Sequence, residues 1–144
     1  MSYSIDANIL LYASDETSPH HDAARRFVLE RRDDPDLLCL AWPVLMAYVR
    51  IATHPSVFAA PLTPDDALAN IEALIGLPRA VMVTEAGGFP AAYREVTGGF
   101  PVRGNLVPDA HLATILRQHG VRTLYTNDRN FQSFAFLEKR NPLG

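Results

Sequence analysis

The chain has 144 residues but only one cysteine, one tryptophan and one lysine. Cys39 has no partner for an internal disulfide, so a disulfide-built fold is excluded and a reducing, cytoplasmic setting is expected. One Cys and scattered His do not supply zinc-ligand spacing. No apolar run reaches the length that crosses a bilayer, and the N-terminus has no secretory pattern. Glycine pairs occur at 87–88 and 98–99, but no Gly-x-Gly-x-x-Gly or Walker pattern accompanies them, which argues against a phosphate-cradling loop. Repeats, linkers and low-complexity tracts are missing too. A strongly basic surface is excluded by the net charge of −3. Nucleic-acid contact must then rest on local arginines, because phosphate contacts need Lys or Arg. Twelve of the 13 basic residues are arginine, Lys139 being the exception. That bias fits bidentate phosphate contacts and fits a GC-rich coding sequence better.

What remains is an ordinary globular composition, 48% hydrophobic and 20% charged, sized for one domain over residues 1–144. The pattern alternates strand and helix. Strands are expected at 2–6, 37–41, 80–84 and 123–126, with a short last one at 134–138. Helices are expected from Asn8, from Ser18-Pro19, over 42–53, from Thr63, over 89–96, and from Pro108 to His119. This alternation predicts a layered α/β domain with a mostly parallel sheet.

Three aspartates stand at strand ends or helix starts: Asp6 after the first strand, Asp109 just after Pro108, and Asp128 after the fourth strand. In parallel α/β sheets ligands bind beyond the carboxyl ends of the strands. Three carboxylates gathered there repel one another unless a hard cation lies between them. Magnesium or manganese is the expected occupant, and metal-assisted hydrolysis of a phosphodiester the expected chemistry. Each acid also has an ordinary explanation. Asp6 can cap a helix, Asp109 can be a first-turn acid, and Asp128 can form an Asx-turn. Phosphotransfer on an aspartate is disfavoured, because Asp6-Ala7-Asn8 lacks a second Asp two residues on.

Four blocks in order resemble the PIN-domain family, and within it the VapC-type toxins of type II toxin–antitoxin systems. They are Asp6-Ala7-Asn8-Ile9-Leu10-Leu11-Tyr12-Ala13, Arg50-Ile51-Ala52-Thr53-His54-Pro55, Asn105-Leu106-Val107-Pro108-Asp109-Ala110-His111-Leu112-Ala113, and Thr126-Asn127-Asp128-Arg129-Asn130-Phe131. The resemblance implies a three-layer α/β/α fold with a five-stranded sheet. It implies a Mg2+- or Mn2+-dependent endoribonuclease, often dimeric, that cleaves structured RNA such as tRNA or rRNA and is neutralised by a cognate VapB-type antitoxin. Asp6, Asp109 and Asp128 carry over as metal ligands and catalytic acids, with Asn8 and Thr126 supporting them. The family's second acid precedes the Arg of the Arg-Ile segment by three residues, where this chain has Ala47. Alanine binds no cation, so Ala47 implies a weakened or inactive enzyme, whether by engineering or as a natural degenerate homologue. A PIN-fold binding module without catalysis is the alternative. Asn130 also departs, standing where many relatives have Asp.

Arg50 lies one helical turn from position 47, so it can reach a phosphate or form a structural ion pair. Arg103 and Arg129 face the same choice between RNA contact and a solvated surface. The adjacent His20 and His21 read as surface residues, and Trp42 as core or dimer surface.

Overall fold

The computed structural model describes residues 1–129, 131 and 134–144. Its elements, in chain order, are β1 (Ser2–Ile5), α1 (Ala7–Ser14), α2 (His21–Glu30), β2 (Leu37–Ala41), α3 (Trp42–Ala52), α4 (Pro64–Ile75), β3 (Ala80–Val83), α5 (Phe89–Val96), α6 (Leu106–Gln118), β4 (Thr123–Tyr125) and β5 (Glu138–Arg140).

All four strand pairings are parallel, and the strand order is β3-β2-β1-β4-β5. The central strands have the continuous burial such a sheet demands: Leu38 to Ala41 in β2 and Tyr3 to Ile5 in β1 are all buried. The helices fall into two packing groups. Helix α1 packs on α2 and α3, and α3 on α4, while α5 packs on α6. Right-handed parallel crossovers put the first group on one face of the sheet and the second on the other. Ile9, Leu45, Ile115 and Leu116 fill the core from the helices, and Ile5, Leu38, Leu40 and Leu124 from the sheet. The result is the expected three-layer α/β/α arrangement.

The order of the strands fixes where a site belongs. From β1 the chain moves outward through β2 to β3, then returns across the sheet to β4 on the other side of β1. The direction of winding therefore reverses between β1 and β4. Such a switch point opens a crevice at the carboxyl ends of its two strands. Here β1 ends at Ile5, which pairs with Tyr125 at the end of β4.

Three sequence expectations are corrected. The last strand is Glu138–Arg140, not 134–138; Phe134 and Leu137 are instead buried in the core. Their aromatic and apolar character comes from packing, not from a strand pattern. Helix α6 begins at Leu106, so Pro108 lies inside its first turn, where a missing N–H costs nothing. Helix α2 begins at His21, because Ser18 Oγ accepts from His20 N and holds residues 18–20 in a turn.

One buried charge ties α2 to the sheet. The Arg31 guanidinium lies 3.9 Å from the Phe27 ring centroid, donates to the Tyr3 hydroxyl, and pairs with Asp34 at 3.0 Å.

Candidate active site at the β1–β4 switch point

The backbone of Asp6 continues the β1–β4 ladder, its N–H donating to Tyr125 O at 2.9 Å. Extended φ and ψ at Asp6 then give way to α1, and Asp6 Oδ1 accepts from Ala7 N at 2.7 Å. The helix-capping explanation of Asp6 is thus correct for one oxygen. The other oxygen does something else. Asp6 Oδ2 accepts the Thr126 hydroxyl proton at 2.9 Å, across 120 residues of sequence.

Thr126 is the hinge of the arrangement. It is buried, with 3% of its surface exposed. While donating to Asp6, its Oγ1 accepts from Asp128 N at 2.9 Å and from Asn8 Nδ2 at 3.4 Å. Asn8 Oδ1 in turn accepts from Asn127 N at 3.4 Å. The first turn of α1 and the segment leaving β4 are therefore stitched together side chain to backbone. A β-branched hydroxyl suits this task, because its χ1 is stiff and its oxygen both donates and accepts.

Burial pushes the Asp6 carboxyl above the ordinary carboxylate range. Hydrogen bonds from Thr126 and Ala7 pull the other way, and the neighbouring negative charge of Asp128 adds to the rise. Asp6 is consequently a desolvated acid held beside a second acid, an arrangement that nearby positive charge would relieve.

Asp109 occupies the first turn of α6 and is partly buried. Among the described residues, no group of three His, Cys, Asp or Glu side chains stands close enough to hold a metal ion. The described donors at the switch point are thus the pair Asp6 and Asp128, with Asp109 on a separate element. Two carboxylate ligands suit a hard cation that keeps several waters, and their chemistry does not suit zinc or copper.

Ala47 lies midway along α3, half-buried, and Arg50 is exposed in the last turn of that helix. Arg103 and Arg129 are exposed as well, Arg129 immediately after Asp128. Asn130 lies outside the described residues. His111 meets Glu85 and Phe89: its Nε2 is 3.5 Å from Glu85 and its ring meets Phe89 edge-on at 5.6 Å. His119 is bound to the end of β3, its Nε2 being 2.7 Å from Thr84 O.

The sequence reading missed a second layer around the pair. The Tyr12 hydroxyl accepts from Asn127 Nδ2 at 3.5 Å, and Asn127 Oδ1 accepts from Asn141 Nδ2 at 2.7 Å. The Tyr12 ring packs against His20 with centroids 4.9 Å apart. His21 Nδ1 lies 3.0 Å from Tyr12 O. Both histidines are half-buried, not the free surface residues expected. The i, i+4 spacing of Asn8 and Tyr12 was the available signal, since it places both on one face of α1.

A family model described as the PIN domain matches residues 3–137. Ribonuclease VapC48 of Mycobacterium tuberculosis is 42% identical over 142 residues, covering 99% of this chain and 98% of that protein. Ribonuclease VapC43 of the same species is 33% identical over 140 residues, covering 96% and 94%. Among solved structures, VapBC2 from Rickettsia felis, bound to a DNA fragment from its promoter, superposes with a TM-score of 0.69 at 16% identity, covering 98% of each chain. Mycobacterium tuberculosis VapC20, a sarcin–ricin loop cleaving toxin, superposes with a TM-score of 0.65 at 20% identity, covering 96% of this chain and 98% of that one. The fold, the four blocks in order and these full-length matches agree: this chain belongs to the PIN-domain family, among its VapC-type toxins.

Proposed function

We propose that this protein is a divalent-metal-dependent endoribonuclease toxin that cleaves structured RNA and is neutralised by a cognate antitoxin. The observation that carries the reading is the acidic pair at the switch point, Asp6 and Asp128 joined through Thr126. The 42% identity to a protein named a ribonuclease supports the same reaction class. Asp6 and Asp128 would hold a Mg2+ or Mn2+ ion, and Asp109, in the first turn of α6, would be drawn in as a third carboxylate when the ion binds. When bound, that ion supplies the positive charge a phosphodiester needs as negative charge develops on its oxygens.

The chain's own residues set the geometry. Thr126 fixes Asp6 Oδ2 and the Asp128 backbone in one frame, and Asn8 locks that frame to α1. Their short links limit how far the two carboxylates can drift apart, which favours a shared ion. Arg129 lies next to Asp128, and Arg50 lies beyond Ala47 on α3; both are exposed and suited to RNA phosphates. Trp42 and Met46, one turn apart on α3, are both exposed apolar residues and suit contact with a second copy of the chain. Titrating EDTA into a cleavage reaction on total RNA should abolish new 5′ ends, and Mg2+ or Mn2+ should restore them. Cleavage that persists in EDTA would refute the metal requirement.

Thr126 gives a sharper test. Thr126→Val keeps the shape but removes the hydroxyl, and with it the bond from Asp128 N–H and the bond to Asp6 Oδ2. The expected loss is about 1–3 kcal/mol of stability and roughly 10–100-fold in cleavage or Mn2+ affinity. Thr126→Ser should retain most of both, as read by thermal melting and isothermal titration.

A second reading is favoured by one residue. Ala47 removes a carboxylate where the family pattern has one, and a PIN-fold module that binds without cutting would have the same frame. Manganese titration separates the two: tight, saturable binding supports an operating site, and no binding supports the module.

A further inference from the structure

We propose that Tyr12 and His20 form a stacking platform for an unpaired base of the RNA, next to the phosphodiester held at the acidic pair. The proposal rests on the ribonuclease reading above and names how the same site takes its substrate.

The two rings lie 4.9 Å apart at 53°, and both residues are half-exposed. Their position relative to the acids is fixed by covalent and hydrogen-bonded routes together. Tyr12 is six residues from Asp6 on α1, about 9 Å along the helix axis. Its hydroxyl is bonded to Asn127, the residue before Asp128. Asn141 holds Asn127 from the other side. His20 is held by the turn at Ser18, and its neighbour His21 bonds Tyr12 O. A mere surface aromatic would not be tied at so many points to the frame that carries two acids.

The local charge selects a base over a phosphate. The charged residues nearest in sequence are Asp15, Glu16 and Asp22, all acidic. These acids disfavour a phosphate beside the two rings, with Arg25 the cation that shares a pocket with Glu16 and His21, whereas a neutral, flat group meets no such penalty. Stacking on an aromatic ring is indifferent to that field and available to every base. It also demands an unstacked base, which favours loops and bulges over duplex. The platform would therefore bias cleavage towards single-stranded segments of a folded RNA without reading one letter.

The test uses the full chain and short single-stranded oligoribonucleotides with 2-aminopurine at each position in turn, read before cleavage sets in. One position should be quenched on binding. His20→Ala should weaken binding about tenfold and abolish that quenching, while His20→Phe should preserve both. Melting curves identify variants that merely fail to fold, and Tyr12→Phe supplies a second variant that keeps the ring without the Asn127 bond. Equal quenching and affinity in the parent and His20→Ala would overturn the platform, as would a loss in His20→Phe equal to that in His20→Ala. RNA that is cleaved without a quenched position sinks the platform alone. A quenched position without cleavage in any metal sinks the ribonuclease reading alone.

Discussion

Asp6→Asn should remove RNA cleavage while raising the melting temperature of the metal-free protein. The two effects share one cause. Asp6 is desolvated and sits beside the charge of Asp128, so its ionised form is disfavoured in the folded chain. An amide keeps an oxygen to accept from Ala7 N, while its NH2 faces Thr126 Oγ1, whose lone pairs already accept from Asp128 N and Asn8 Nδ2, so one hydrogen bond is given up. The amide carries no charge to desolvate and none to repel Asp128. Cleavage should fall by a factor on the order of 10²–10³, the scale seen when one charge-stabilising group is lost from an active site. Assaying the change in an Ala47→Glu background as well keeps a low starting rate from hiding the loss.

The pH dependence follows from the same shift. In the folded chain Asp6 keeps its proton to a higher pH than an unfolded carboxyl, whose ordinary value is 3.8. Between those two values the folded state binds more protons than the unfolded state, so stability falls as pH rises. Above the folded value the penalty is at full size. Melting curves of the metal-free parent should therefore show a decline through that window that Asp6→Asn lacks. Manganese should raise the melting temperature of the parent at neutral pH by mass action and leave the variant nearly unmoved. A variant less stable than its parent in EDTA would show that the Thr126–Asp6 bond outweighs the buried charge.

The fold was legible because its signals are local. The apolar run Leu37 to Ala41 announces a strand covered on both faces, and Thr63 caps α4 by accepting from Asp66 N. Strand β5 was misplaced because Glu138-Lys139-Arg140 has no apolar pattern at all. Its existence depends on pairing with the edge of β4, a tertiary fact that periodicity does not encode. The site divides in the same way. Asp6 and Asp128 could be found from their places after β1 and β4, and Thr126 from its neighbourhood. The Tyr12–His20 contact could not, since it depends on how the turn at Ser18 folds back over α1. Adjacent histidines in a sequence look like solvent-facing residues until a turn brings one of them against a ring.

Ala47→Glu is expected to raise metal-dependent RNA cleavage by roughly 10–100-fold, the range associated with residues that orient a metal site. Strands β1 and β2 are parallel neighbours, so α1 and α3 leave the sheet at the same edge. Helix α3 also packs against α1, which begins at Asp6. Ala47 lies five residues into α3 from Trp42, about 7.5 Å from that edge along the helix. It is half-buried, on a different face from the exposed Met46. A glutamate there has the length to reach back towards the carboxyl ends of the strands, which the methyl group of alanine does not. The added acid should cost stability in EDTA, because it brings further negative charge near Asp6 and Asp128, and that cost should vanish in Mn2+. Gain of cleavage together with this reversal would identify position 47 as the missing ligand. A glutamate that leaves cleavage and Mn2+ affinity unchanged would mean that the acidic pair and Asp109 already constitute the working set, and that Ala47 is no defect.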